Sequence, residues 1–281
     1  MSAFGGASVR EALDSAVIAI AAAGSDTPRL DAEVLLADAL GVDRTALFVD
    51  PAREVKGPAV RAFQDAVRRR SAGREPVAYI TGRRGFRHLE LAVDARVLVP
   101  RPETELLVEI GIESLAQGAR VVDVGTGSGA VALALAQERP DLEVLATDSS
   151  AGALDVARAN AARLGLDGAV TFLTGDLLAG VGEVDAVLSN PPYVAERERA
   201  ALAPEITRHE PPGALFAGED GLDVIRRLVP AAADAGARLL AVEVGEGQSD
   251  AVAQLIHLAG FVAVHGRRDL AGIERVVVGK R

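Results

Sequence analysis

From Arg120 onward the chain alternates between short apolar stretches and segments with helical periodicity, and this alternation constrains its fold more than any other feature. Predicted strands lie at 121–124, 143–146, 170–173, 184–188, 238–244, 261–264 and 273–278. Predicted helices lie at 130–137, 151–164, 221–235 and 246–259. Such alternation is typical of a parallel, doubly wound α/β sheet with helices on both faces. No helical pattern separates the last two strands, so we expect the final strand to run antiparallel.

The first seventy-odd residues predict helices. Thr27 and Pro28 have the pattern of an N-cap and a first helical residue. A second helix begins at Pro58 and ends in the basic run 68–70, which we interpret as a solvated helix end favoured by the helix dipole. The alternative for this run is a docking site for a partner. Apolar residues repeat at helical spacing in the first of these two helices, up to Gly41: Leu30, Val34, Ala37 and Leu40.

Residues 76–99 predict a connector that contains a β-hairpin. Tyr79–Thr81 and Leu89–Val93 alternate in the manner of strands, with two glycines between them. Pro100-Arg101-Pro102 ends this segment, and a helix is predicted from Glu103 to Leu115. The predicted organisation is a helical domain at 1–75, a β-hairpin linker at 76–99 and an α/β domain at 100–281.

Composition narrows the classes of function. The 281 residues include no cysteine, which excludes disulfides and thiolate metal sites, and the four histidines have no ligand-like spacing, so no metal is expected. A net charge of −10 with 3% aromatic residues argues against binding to a nucleic-acid backbone. Because the chain has no long apolar span and no signal-peptide pattern, we expect a cytoplasmic location and no membrane partner.

A glycine-rich turn follows the first predicted strand of the sheet and opens a helix. Its glycines permit a tight turn and a close approach of a ligand, while the helix N-terminus offers free N–H groups. The spacing Gly125-x-Gly127-x-x-Ala130 also fits the dinucleotide fingerprint, so this loop alone leaves an NAD-type cofactor open. Asp148, at the end of the second strand, can accept hydrogen bonds from ribose hydroxyls in either case. The candidate cofactor-binding residues of the loop are Asp123, Gly125, Thr126, Gly127, Ser128 and Gly129.

Two acidic positions favour S-adenosylmethionine over NAD. Asp123 lies two residues before the first glycine, where a carboxylate can meet the cationic amino-acid end of that cofactor. Asp176 follows the third strand and can accept from an adenine amino group, while the N–H of Leu177 donates to the ring. A simple turn carboxylate is the alternative for Asp176. An NAD enzyme would also need a site that handles hydride, and none is evident.

Asn190-Pro191-Pro192-Tyr193 follows the fourth strand and forms the candidate substrate site. Consecutive prolines cannot continue a strand or a helix, because each lacks an N–H and has a fixed φ. The chain therefore leaves the sheet in a rigid, extended turn. This turn presents the Asn190 carboxamide and nearby carbonyls as acceptors beside an aromatic face, which suits a planar –NH2 group. A plain loop is the alternative for the tripeptide taken alone.

The chain closely resembles the release-factor glutamine methyltransferases, the HemK/PrmC family, over most of its length. Its most specific part is the segment Arg101–Glu105 with the hairpin before it, since the Asn-Pro-Pro-Tyr loop is shared with adenine, cytosine and guanine amino-methyltransferases. The segments that carry the resemblance are Pro76–Gly82, Val97–Glu105, Val122–Ala130, Ser189–Tyr193, His209–Pro211, Gly218–Leu222 and Asp269–Gly272.

This resemblance implies a Rossmann-like, seven-stranded class I methyltransferase domain, preceded by a small all-helical domain that helps to recognise a release factor. The implied reaction moves a methyl group from S-adenosylmethionine to the side-chain N5 of the glutamine in the Gly-Gly-Gln motif of class I peptide-chain release factors, leaving S-adenosylhomocysteine. We expect a monomer. Many relatives have an aromatic residue at Arg87, and some at Leu177. The implied cofactor contacts are Gly125–Gly129, Asp148, Leu177 and Asn190, and Asn190–Tyr193 would hold the glutamine.

The chemistry of such a reaction depends on positioning, because an amide nitrogen is a weak nucleophile whose lone pair is delocalised into the carbonyl. We hypothesise that the Asn190 side-chain oxygen and the Pro191 carbonyl each accept one N–H of the target amide, with Tyr193 packed on its plane. No Ser/His/Asp or Cys/His arrangement suggests covalent catalysis. The rivals are a nucleic-acid amino-methyltransferase (adenine N6 or guanine N2) and a cofactor-binding partner protein without turnover. The intact Asn190 clamp argues against the second.

Overall fold

The computed structural model of the protein describes residues 6–281. The α-helices are α1 Val9–Ala22, α2 Pro28–Leu40, α3 Ala46–Val49, α4 Pro58–Ser71, α5 Val77–Thr81, α6 Glu105–Ser114, α7 Ala130–Glu138, α8 Ala151–Leu164, α9 Pro204–His209, α10 Asp223–Asp234 and α11 Ser249–Leu258. The strands are β1 Arg83–Phe86, β2 Leu89–Ala92, β3 Arg120–Val124, β4 Glu143–Asp148, β5 Val170–Thr174, β6 Ala186–Ser189, β7 Leu239–Glu243, β8 Ala263–Arg268 and β9 Glu274–Lys280. No helix within the described range is both long and apolar enough to cross a bilayer.

Two compact units divide the chain. The helical unit contains the chain up to Gly82 together with Ala203–His209, and the sheet unit contains Arg83–Leu202 and Glu210–Arg281. The return of the chain to the helical unit at Ala203 has no signature in the sequence. The predicted limits at 75/76 and 99/100 stay a prediction, because these units are defined by contacts and not by independent folding.

Helix α2 begins and ends where the sequence predicts, and its buried face includes only part of the apolar repeat. Gly41 follows it with a φ of 63°, the left-handed conformation that ends helices. Of the apolar repeat, Ala37 is buried, while Leu30 is 44% exposed. The buried face also includes Asp31 and Leu35. Because a charged side chain lies on the buried face, hydrophobic periodicity alone does not identify that face.

The basic run at the end of α4 is a solvated helix end only in part, since Arg68 is exposed and Arg70 is buried. Arg70 is only 6% exposed, and its guanidinium lies 2.7 Å from Asp31 Oδ2 and 3.3 Å from Glu205 Oε1. Arg69 pairs with Glu75, and Arg68 pairs with Asp65 on its own helix. Buried charges are stable only when they are paired, so Arg70 and its two carboxylates form one cluster inside the helical unit.

The segment 79–81, predicted as a strand, is helical. It belongs to α5, which follows Pro76 and ends at Gly82 with a φ of 71°. Five residues are too few to distinguish a strand from a buried helical turn by periodicity, which explains the wrong prediction. The hairpin itself is formed by β1 and β2, which pair antiparallel. Asn160 on α8 accepts the Ala92 N–H and donates to its carbonyl, which fixes β2 to the sheet unit.

The seven remaining strands form one sheet in the order β5-β4-β3-β6-β7-β9-β8, and the predicted fold class is confirmed. The strands β3 to β7 pair in parallel, while β9 runs antiparallel to both β7 and β8, as expected. Alternate residues of the strands enter two apolar cores, one on each face of the sheet, because side chains of a strand point to opposite faces. Two-sided burial explains the continuous apolar runs of the central strands.

Candidate active site

A cavity of about 520 Å³ lies in the sheet unit, beside the carboxyl ends of β3, β4 and β6. The sheet reverses its order here, because β4 and β5 continue on one side of β3 while β6 and β7 lie on the other. Ligands of open α/β sheets bind at such a switch point. Of the predicted site residues, Gly129 and Tyr193 lie outside the lining. The predicted residues that line the cavity are Asp123, Gly125, Thr126, Gly127, Ser128, Asp148, Asp176, Leu177, Asn190, Pro191 and Pro192.

The glycine-rich loop is held in place by β4. The backbone N–H groups of Gly125 and Thr126 both donate to the Thr147 carbonyl, at 2.9 and 3.0 Å. Gly127 has a φ of 56°, and a Cβ added there would meet no atom within 4 Å. Glycine therefore allows a left-handed backbone at this position. The missing side chain also leaves space for a ligand to approach the backbone closely. The Gly127 N–H donates to Asp148 Oδ2 at 2.9 Å.

Gly129 has a different reason to be glycine. Its φ is 85°, and an added Cβ would lie 2.8 Å from Leu133 Cδ1 and 3.3 Å from Ala157 Cβ. The residue allows the start of α7 to pack closely against its neighbours. The predicted contact of Gly129 with the cofactor stays a prediction.

Asp123 is a buried acid at the cavity, and its pKa is raised. Its side chain is 2% exposed, and Oδ2 accepts from Thr126 Oγ1 at 2.6 Å and from the Ala132 N–H at 3.2 Å. Burial raises the pKa of Asp123 to about 7, the two hydrogen bonds oppose this shift, and the nearby Asp148 adds to it. A carboxylate with these surroundings is stabilised by a cationic group of a ligand.

The turn after β5 supplies Asp176 and Leu177. Asp176 forms an ion pair with Arg227 on α10, and the Arg227 side chain also lines the cavity. Leu177 has a φ of 53°, which is uncommon for a residue with a branched side chain. The Thr147 hydroxyl donates to the Leu177 carbonyl at 2.8 Å and stabilises this conformation. Backbone strain that the surroundings enforce is frequent at ligand sites.

Asn190 is fixed by side chains from two other elements. Its Nδ2 donates to the Thr104 hydroxyl at 3.0 Å, and that hydroxyl donates to Glu243 Oε2 at 2.7 Å. The Tyr193 hydroxyl approaches the other oxygen, Glu243 Oε1, at 3.4 Å. Burial and the neighbouring Glu243 both raise the pKa of Tyr193, so the phenol keeps its proton. The carboxamide plane of Asn190 is therefore set by a chain of hydrogen bonds that begins at Glu243.

The segment 101–105 joins several parts of the sheet unit. Arg101 donates to both oxygens of the buried Glu210, at 2.8 and 2.7 Å. Glu105 accepts the backbone N–H of Arg87 at 3.0 Å. The Arg87 guanidinium binds Glu138, with its Nε 2.5 Å from Oε1. Arg87 thus takes part in an ion pair outside the cavity lining.

Three residues near the site were missed by reasoning from the sequence. Arg227 had no signal, since one arginine in an amphipathic helix is ordinary. Glu243 ends an otherwise apolar strand, and an acid at the end of a buried strand is a signal that could have identified it. Thr104 belongs to the segment that most specifically carries the family resemblance, yet no role had been assigned to it.

Two family models and several curated relatives match this chain. Residues 11–82 match the family model described as PrmC N-terminal domain, and residues 102–214 match the one described as Methyltransferase small domain. A release factor glutamine methyltransferase of Xylella fastidiosa is 45% identical over 95% of this chain and 98% of its own length. One from Deinococcus radiodurans is 44% identical over 97% and 98%. The chain belongs to the release factor glutamine methyltransferase family.

More distant structures agree on the fold of this family member. The catalytic domain of hMettl16 in complex with the MAT2A 3'UTR hairpin 6 aligns with a TM-score of 0.56 at 16% identity, covering 79% of this chain and 81% of that one. At this identity the likeness shows a shared methyltransferase fold and nothing about the substrate.

A release factor glutamine methyltransferase of Mycolicibacterium smegmatis is 43% identical over 97% of this chain. The family assignment therefore rests on full-length relatives.

Proposed function

We propose that this chain transfers a methyl group from S-adenosylmethionine to the side-chain amide nitrogen of the glutamine in the Gly-Gly-Gln motif of class I peptide-chain release factors. The names of its full-length relatives support both the reaction and the acceptor. The observation that carries the proposal is the orientation of Asn190. Its NH2 group is engaged by Thr104, so its oxygen is available as an acceptor beside Pro191 at the cavity.

The residues of the cavity fit the proposed cofactor. Asp123 is buried, and no arginine or lysine within residues 6–281 forms an ion pair with it, so the ammonium group of a bound amino-acid moiety would favour its ionised form. Asp148 accepts the Gly127 and Ser150 N–H groups on different oxygens, which fixes its carboxylate and leaves lone pairs for ribose hydroxyls. Leu177 lines the cavity where an adenine ring is expected. When bound, S-adenosylmethionine supplies a methyl group on a positively charged sulfur.

The acceptor side of the site orients a planar amide. The Asn190 Oδ1 and the Pro191 carbonyl are both acceptors, so together they match the two N–H groups of a glutamine side chain. Two such bonds hold the nitrogen in one orientation and favour partial pyramidalisation, which makes its lone pair available for attack. The proton can leave afterwards, since N-alkylation acidifies the product. No strong base is needed for the attack itself.

We propose that the helical unit helps to recognise the protein substrate. It corresponds to the match described as PrmC N-terminal domain, and the relatives named for the reaction retain it in alignments of nearly full length. This role predicts that removal of the helical unit weakens binding of the release factor more than it weakens binding of the cofactor.

The proposal is tested by offering labelled S-adenosylmethionine to the full chain with three acceptors in separate reactions. These are a purified class I release factor, the same factor with its Gly-Gly-Gln glutamine replaced by alanine, and RNA. We expect label only in the intact release factor. Label in the glutamine-replaced factor or in RNA would refute the proposed acceptor.

A further inference from the structure

Glu243 is a buried acid that the proposed reaction does not use. It ends β7, is 1% exposed, and faces Thr104 and Tyr193. The other charged groups that act on it are Glu103, which raises its pKa, and Arg275, which lowers it. Burying a carboxyl group in this way is unfavourable unless it is satisfied by specific partners, so its position calls for an explanation.

The hydrogen-bond chemistry of Thr104 gives this explanation. An ionised carboxylate can only accept, so the single proton of the Thr104 hydroxyl is committed to Glu243. The lone pairs of the same oxygen can then only accept a bond, and the partner at 3.0 Å is the Asn190 Nδ2. The opposite arrangement, with the Asn190 oxygen toward Thr104, would place two acceptors together. The amide of Asn190 is therefore held with its nitrogen toward Thr104.

We propose that Glu243 and Thr104 are positioning residues that orient the Asn190 carboxamide, so that its oxygen and not its NH2 group faces the amide nitrogen of the substrate. This inference rests on the proposed methyl transfer to an amide. A rotated Asn190 would present N–H groups to the N–H groups of the glutamine, and the orienting bond would be lost. The role of Thr104 also gives a physical reason for one residue of the Arg-Pro-Glu-Thr-Glu segment.

The protonation state of Glu243 provides a readout that a merely structural residue would lack. Burial raises the pKa of Glu243 to about 7, with the Thr104 hydrogen bond opposing the shift. A protonated Glu243 can donate to Thr104, whose own proton is then free to reach the Asn190 oxygen. The enforced orientation is present only when Glu243 is ionised. At saturating cofactor, kcat should therefore rise as the pH increases through about 7.

The first test compares Thr104→Val with Thr104→Ser. Valine has nearly the same shape and removes the relay, so kcat should fall at least ~10-fold, while the affinity for S-adenosylmethionine changes little. Serine keeps the hydroxyl and should restore kcat to within a few-fold of the wild type. In an Asn190→Ala background, Thr104→Val should have almost no further effect, because the group it orients is gone. The inference would be overturned if the loss of kcat in the double variant equalled the product of the losses in the two single variants. An unchanged kcat in Thr104→Val would also overturn it.

The second test uses Glu243→Gln and decides the question even if Thr104→Val folds poorly. Glutamine can turn either its oxygen or its NH2 group toward Thr104, so it no longer enforces one direction. Its kcat should lie well below that of the wild type at pH 8 and approach it at pH 6, with the step near pH 7 lost. Identical pH profiles would contradict the proposal. If the wild type methylates no glutamine, the proposed function fails instead, so the two failures are distinguishable.

Discussion

Replacement of Asp123 by asparagine tests the proposed cofactor site most quantitatively. The pKa of Asp123 is about 7 because the side chain is buried, and its partners Thr126 and Ala132 only partly offset that burial. Bound S-adenosylmethionine would place an ammonium group against the ionised form. The affinity for the cofactor scales with the fraction of protein in which Asp123 is ionised. The wild-type dissociation constant should therefore be about tenfold larger at pH 6 than at pH 8.

The Asp123→Asn variant should bind the cofactor more weakly than the wild type, and its affinity should not change between pH 6 and pH 8. Asparagine keeps the shape but loses a charge-assisted contact worth ~1.5–3 kcal/mol, which corresponds to a dissociation constant ~10- to 150-fold larger at pH 8. Isothermal titration calorimetry with S-adenosylhomocysteine between pH 6 and 8 measures both effects. Asp167→Asn is the matched control, because it removes an exposed carboxylate outside the cavity lining. Affinity in Asp123→Asn that equals the wild type at pH 8, or a flat wild-type profile, would refute the assignment.

The protonation of Asp123 also affects the stability of the folded protein. Stability should fall as the pH rises, whereas the affinity for the cofactor should increase. The folded protein holds the Asp123 proton more tightly than the unfolded chain, whose carboxyl has a pKa near 3.8. The contribution of this group is therefore fully present below pH 3.8 and is lost as the pH rises through about 7. Relative to Asp123→Asn, the free energy of unfolding of the wild type should fall across this window in urea titrations without cofactor.

Two further perturbations test other parts of the molecule. Asn190→Ala should lower methyl transfer by ~10²–10³ while cofactor affinity stays within a few-fold, which single-turnover assays and calorimetry measure; an unchanged rate would exclude the orienting role. Arg70→Met leaves the buried Asp31 carboxylate without its cationic partner, so chemical denaturation should show a loss of ~3–5 kcal/mol. The matched variant Arg68→Met removes an exposed arginine and should cost less than ~1 kcal/mol, and equal losses would contradict the buried cluster.

The sheet and the glycine-rich loop could be predicted because their signals are local. Strand-length apolar runs, helical periodicity and Gly127 before a helix each depend on a few neighbouring residues. The turn at Asn190 was equally visible, since consecutive prolines restrict the backbone directly. The segment 79–81 failed for the opposite reason, because its short alternating pattern fits a strand and a helical turn equally well.

The partners of the charged and polar residues could not be predicted in the same way. Arg70 looked solvated because Glu205, which pairs with it, lies 135 residues further along the chain. The role of Thr104 depends on Asn190 and Glu243, which are 86 and 139 residues away. Only the fold brings the ends of β6 and β7 next to the segment before α6. Sequence reasoning therefore found the acceptor group but not the residues that orient it.

If Asn190 presents a glutamine amide for methylation, tandem mass spectrometry of the product should locate the methyl group on that glutamine. A class I release factor is incubated with S-adenosylmethionine and either the wild type or Asn190→Ala, and the peptide that contains Gly-Gly-Gln is sequenced. We predict one added methyl group on the side chain of that glutamine with the wild type, and almost none with the variant. A methyl group on any other residue would contradict the proposed acceptor, and equal methylation by both proteins would contradict the proposed role of Asn190.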